Sequence, residues 1–110
     1  MLQLISRPTC LSFIALLSLA ALPAQAATVP DAAHGEILVK HWCAGCHQVT
    51  PDQKPVSSDV PSFLFIAHQK NLTEKVLSNF LSTSHPRMPD MGLTRSEIAD
   101  IVAYIKSLDR

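Results

Sequence analysis

Two thiols three positions apart, with an imidazole directly after the second, make up Cys43-Ala44-Gly45-Cys46-His47. No other stretch constrains the fold as strongly, because this spacing is the attachment pattern of a covalently held haem. Each thiol adds to one of two neighbouring vinyl groups on a single macrocycle, and the adjacent His47 then sits under the iron. A haem held in this way becomes a covalent part of the fold.

Three other chemistries compete for the same residues. A structural zinc site takes four N or S ligands, usually from a second pair at short spacing. Here His34, His41, His68 and His85 are scattered and no second Cys pair exists. A thioredoxin-like redox pair belongs at a strand-to-helix junction of a βαβ unit, and nothing nearby alternates like a strand. A Cys43–Cys46 disulfide would leave His47 unexplained.

The first 26 residues read as a secretory signal. Arg7 gives a positive start, 11–22 is apolar apart from Ser12 and Ser18, and Ala24-Gln25-Ala26 supplies a small-x-small cleavage pattern. The apolar run is about a dozen residues, short of the roughly twenty that span a bilayer. Retention as an anchor is the alternative, with Leu2 to Ile5 extending the run. Cys10 precedes the run and leaves with a cleaved signal.

The remaining chain, 27–110, is one small domain near the size at which a hydrophobic core alone is marginal. A buried porphyrin would supply much of the missing core. The full chain carries no formal net charge, and loss of Arg7 leaves about minus one. Electrostatics therefore give no reason to expect nucleic acid or an acidic membrane as a partner.

Four helices are expected and no strand. Ala33, Ile37, Leu38, Val39 and Trp42 recur as on a helix leading into the cysteine motif. The segment 48–60, with Pro51, Pro55, Ser57, Ser58 and Asp59, reads as a surface loop. Pro61 would open a short helix with Phe63, Leu64 and Ile66 inward. Asn71 and Glu74 have the spacing of a capping box ahead of Val76, Leu77, Phe80 and Leu81. A second loop, 82–93, carries Pro86 and Pro89. Thr94 and Glu97 form a second capping box, with Ile98, Ile101, Val102, Ile105 and Leu108 on one face of a helix of about fourteen residues.

On these residues the chain resembles the class I cytochrome c family across nearly the whole of 27–110. Gly35, eight residues before Cys43, stands where the family lets its first and last helices cross closely. Val39 replaces the family's aromatic four residues before the first Cys, with Trp42 and Tyr104 as compensating aromatics. Ala103-Tyr104-Ile105-Lys106-Ser107-Leu108 matches the closing helix. Pro61 corresponds to the proline whose carbonyl accepts the proton of the ligand imidazole, a bond that fixes the ring and raises its basicity.

The resemblance implies an all-α cytochrome c fold around one covalent haem c, tethered through Cys43 and Cys46, with His47 as one axial iron ligand. A thioether is the usual second ligand and raises the potential relative to a second imidazole. Met88, in His85-Pro86-Arg87-Met88-Pro89, resembles the family's methionine-proline loop, with Met91 as the alternative and His85 and His68 as rivals. Lys40, Lys54, Lys70, Lys75 and Arg87 are scattered and read as ordinary solvated surface. His34 and His41 on the first helix are expected at the surface.

The expected function is that of a soluble, monomeric, periplasmic one-electron carrier between a dehydrogenase or reductase and a terminal oxidase or reductase. It is not expected to be an enzyme, and no membrane span should remain after signal cleavage. The alternatives are a haem subunit of a larger periplasmic oxidoreductase and a gas- or peroxide-reactive haem protein.

Overall fold

A computed structural model describes residues 28–83 and 86–110. The expected signal at 1–26, with Cys10, lies outside the described residues, as does His85. Four helices follow in order: α1 (Ala32–Trp42), α2 (Phe63–Ala67), α3 (Glu74–Leu81) and α4 (Arg95–Ser107). These are the elements of an all-α cytochrome c fold, and among the described residues none is a strand.

The Asp31 carboxylate starts α1 by accepting from the backbone N–H groups of Ala33 and His34. That satisfies donors which a helix start otherwise leaves without partners. The helix ends at Cys43, which caps it, so the cysteine motif hangs from a helix C-terminus. Leu38 and Val39 face inward, and Val39 is completely buried. Ile37 does not join them: it is 65% exposed, and Trp42 is 45% exposed. A helix turns by about 100° per residue, so Ile37 points away from the neighbour that covers Leu38 and Val39.

α4 holds the molecule together, packing on each of the other three helices, while among the described residues no other helix pair packs. Its start is the expected capping box, with Thr94 Oγ1 accepting from the Glu97 N–H and the Glu97 carboxylate accepting from the Thr94 N–H at 2.8 Å. Ile98, Ile101, Val102, Tyr104 and Ile105 are buried along one face. Fully burying a side chain such as Ile101 or Val39 contributes about 2 kcal/mol.

α1 crosses α4 at Gly35. A Cβ there would fall 2.0 Å from the Asp100 carbonyl oxygen and 2.9 Å from Tyr104 Cβ, so only a hydrogen at this position allows the approach. Tyr104 lies in the crossing as expected, but Trp42 does not compensate for Val39. Its indole sits edge-on against His41, ring centroids 4.6 Å apart, on the outside of the molecule.

The two short helices begin at residues other than those expected. Pro61 does not open α2: the helix begins at Phe63 and Ser62 caps it, its hydroxyl accepting from Phe65 N–H at 3.1 Å. Phe63 and Ala67 are buried, Ile66 packs against the core, and Leu64 faces outward. Thr73, not Asn71, caps α3 by accepting from Val76 N–H, which leaves Glu74 as the first helical residue. Glu74 then serves the positive end of the helix dipole instead of closing a box.

Candidate haem site

The segment from Cys43 to Val49 holds the two thiols and the imidazole of the motif, and the fold ties it down from several sides. His47 is buried, and its Nδ1–H donates to the Pro61 carbonyl at 2.7 Å. A carbonyl can only accept, so the bond fixes the tautomer and leaves Nε2 with its lone pair. The His47 ring also leans on Phe63, with centroids 5.3 Å apart and planes tilted by 58°. One residue further, Phe63 N–H donates to the Gln48 carbonyl at 2.9 Å.

The position of the α2 cap is what makes Pro61 available. With Ser62 outside the helix, the first helical carbonyl bond is Ser62 O to Ile66 N–H, and the Pro61 carbonyl stands free of the helix to meet His47. Had Pro61 been the first helical residue, its carbonyl would point along the helix axis toward the next turn.

The two cysteines are unpaired, Cys43 buried and Cys46 exposed. Burial pushes the Cys43 thiol up to about 11. A neutral thiol at a helix C-terminus is the opposite of a redox-active pair, which relies on a helix N-terminus or nearby cations to favour thiolate. Zinc fares no better, since among the described residues no three His, Cys, Asp or Glu side chains converge on a point.

The methionines lie on the other loop. Met88 and Met91 are both half-buried and line one cleft with Phe80, Leu81, Pro89 and Leu93. The Asp90 carboxylate accepts from Gly92 N–H at 2.9 Å, and Gly92 takes a left-handed conformation with φ of 61°. This turn presents Met91 and Met88 to the same hollow, so both thioethers have access to it. His68 stands elsewhere, exposed, with its Nε2 3.5 Å from the Asp109 carboxylate. His34 and His41 are exposed.

Comparison with known proteins decides the family. The family described as "Cytochrome C oxidase, cbb3-type, subunit III" matches residues 30–105. Cytochrome c-552 of Bradyrhizobium diazoefficiens is 45% identical over 84 residues, covering 76% of this chain and 81% of that protein. The chain belongs to the c-type cytochromes. No solved structure matches it.

A c-type cytochrome carries covalent haem c, and the residues present suit that group. Two free thiols flank the start of a loop whose imidazole keeps one nitrogen for a metal, and Phe63 offers an aromatic wall beside that imidazole. The cleft near α3 offers two soft thioethers, with Phe80, Leu81 and Leu93 beside them and the polar Ser82, Thr83 and Asp90 on its rim. When bound, the haem supplies a one-electron iron couple; the polypeptide's part is to tether, orient and screen it.

One tie in this cytochrome had no signal in the sequence. The buried Tyr104 hydroxyl donates to the Val49 carbonyl at 2.7 Å, pinning the far end of the attachment segment to α4. Val49 itself is core although it lies in a segment that reads as surface loop. A single valine between polar and proline residues carries no periodicity, so its burial is visible only once Tyr104 and α4 are in place.

Proposed function

We propose that this cytochrome is a soluble periplasmic one-electron carrier, exported by cleavage of residues 1–26. In this reading Cys43 and Cys46 form the thioethers, and His47 and Met88 ligate the iron, with Met91 as the alternative to Met88. The observation that carries it is the 2.7 Å bond from His47 Nδ1 to Pro61, which orients the ring and keeps Nε2 for the metal. His47 and Met88 would hold the haem iron from two sides, and the group would supply one-electron transfer that needs no substrate pocket. The donor is then a dehydrogenase or reductase, and the acceptor a terminal oxidase or reductase.

Visible spectroscopy of the matured protein tests this. The expected ferric spectrum is low-spin with a methionine-to-iron charge-transfer band, lost in Met88→Ala and kept in Met91→Ala. The opposite pattern transfers the ligand role to Met91. A high-spin ferric centre that binds cyanide or carbon monoxide readily would overturn the carrier reading.

A second reading rests on the matching family, whose description is an oxidase subunit. In it the chain is the haem subunit of a larger periplasmic oxidoreductase. Co-purification with a catalytic partner from periplasm or membranes supports the subunit; isolation as a lone monomer supports the carrier.

A further inference from the structure

Beyond the ligands, a single side-chain amide holds the loop that bears them. Gln53 is half-buried and spends its whole side chain on the backbone of the attachment segment. Its Nε2 donates to the Ala44 carbonyl at 3.3 Å and to the His47 carbonyl at 3.1 Å. Its Oε1 accepts from the Val49 N–H at 2.9 Å. The partners leave the amide one orientation, since two carbonyls require the nitrogen and an N–H requires the oxygen.

Gln53 is itself held in register. Its N–H donates to the Thr50 carbonyl at 3.2 Å, closing the turn through Pro51 and Asp52. Its carbonyl accepts from Gln48 Nε2 at 2.7 Å. The loop from Ala44 to Val49 is irregular, so these backbone groups have no helix or sheet ladder to join, and half-buried groups without partners cost free energy.

We propose that Gln53 is the positioning residue of the haem site, fixing the His47 main chain while Pro61 fixes its ring. This rests on the reading of His47 as iron ligand. Two tethers on one residue leave the imidazole little freedom: Pro61 limits its rotation, and Gln53 limits the translation of the backbone from which it hangs. Ligand orientation is the property such second contacts control at metal centres. The pull reaches Ala44 as well, one residue from the Cys43 thioether.

The test uses the matured haem protein and paramagnetic proton NMR of the ferric form, which reads imidazole orientation through the hyperfine shifts of the His47 ring and the haem methyls. Gln53→Leu removes all three bonds. Gln53→Glu keeps the size and the acceptor but loses both N–H donors when ionised. Ile101→Val serves as control, trimming one buried methyl group from α4 while leaving every hydrogen bond of the loop in place. The expected result is a changed hyperfine pattern in both Gln53 variants, with Ile101→Val superimposing on the parent. The Glu variant should move part-way back toward the parent at low pH, where its carboxyl regains one donor.

Parent-like shifts in both Gln53 variants would overturn the proposal, as would equal changes in the Ile101→Val control. If Gln53→Leu does not fold, the near-isosteric Gln53→Glu decides. Loss of the underlying reading looks different: His47→Ala would then retain the parent's low-spin spectrum, whatever Gln53 does.

Discussion

At the scale of single residues, the crossing of α1 and α4 depends on one absent methyl group and one ion pair. Gly35→Ala would place a Cβ 2.0 Å from the Asp100 backbone oxygen, and backbone cannot move aside as a side-chain tip can. Alanine favours helix over glycine by about 1 kcal/mol, yet overpacking of this kind costs roughly 3 kcal/mol. The clash therefore wins, and denaturant melts should show a loss of roughly 2 kcal/mol. A variant as stable as the parent would mean that the helices do not cross there.

The ion pair sits beside that crossing. His34 Nδ1 lies 2.7 Å from the Asp100 carboxylate, whose other oxygen accepts from Asp31 N–H at 2.7 Å. The bond to Asp100 holds the His34 pKa above its usual 6.5, helped by the charges of Asp31 and Glu97. The bond from His34, then the Asp31 N–H, holds Asp100 below its usual 3.8. The His34 contribution is thus complete below pH 6.5 and lost as pH rises through the raised value. The Asp100 contribution is present above pH 3.8 and lost as pH falls through the lowered one. Comparison of parent and His34→Ala across pH should give a Tm gap that is widest between about pH 4 and 6.5 and narrows in alkali. A gap constant from pH 5 to 9 would contradict the pair. Nothing in the sequence brings 34 and 100 together, because only the helix crossing does so; Gly35, by contrast, was legible through its spacing from Cys43.

At the scale of elements, the ends of helices were less legible than their existence. α1 and α4 stand where apolar spacing places them, and the Thr94–Glu97 box forms as read. For α3, both Asn71 and Thr73 are capping residue types, and Asn71 alone has Glu three positions later. The choice fell to Thr73 because the helix must turn Leu77 onto α4, a tertiary demand that local pattern does not contain. α2 also starts two residues later than read, at Phe63 instead of Pro61, and there the shift has chemical meaning, since it releases the Pro61 carbonyl for His47. The strongest cap should be the most costly to remove. Thr94→Ala deletes the acceptor for Glu97 N–H at the start of the helix on which all others pack. Loss of such a cap costs about 1 kcal/mol and lowers Tm by about 4–8 °C in a domain this small. Thr73→Ala, on the shorter α3, should cost less in the same melts, and an equal or larger loss there would deny α4 its central role.

At the scale of the whole molecule, the polypeptide covers its own apolar surface incompletely. Its buried set is built on α4, while Leu64, Phe65, Val76 and Phe80 on α2 and α3 stay 40–59% exposed. A chain of this length has a net stability of order 5–10 kcal/mol at best, a small difference between large opposing terms. A covalently tethered macrocycle adds apolar area to that balance and cannot dissociate on unfolding. The haem pattern was readable at Cys43-Ala44-Gly45-Cys46-His47 because covalent chemistry demands adjacency in sequence. The choice between Met88 and Met91 was not, because both thioethers reach one cleft and the loop between them is short. The dependence of the fold on its cofactor can be measured directly. The double variant Cys43→Ala, Cys46→Ala, exported and purified, is expected to lose the cooperative thermal transition seen by far-UV circular dichroism in the haem-bearing parent. Residual helix would reside mainly in α1 and α4, whose crossing at Gly35 and buried Val39 and Ile101 need no macrocycle. Free haem added to the variant should restore only part of the transition, since binding without a tether stabilises in proportion to the logarithm of ligand concentration. A double variant that melts cooperatively within a few degrees of the parent would show that the helices form a sufficient core by themselves, and that the haem is cargo instead of structure.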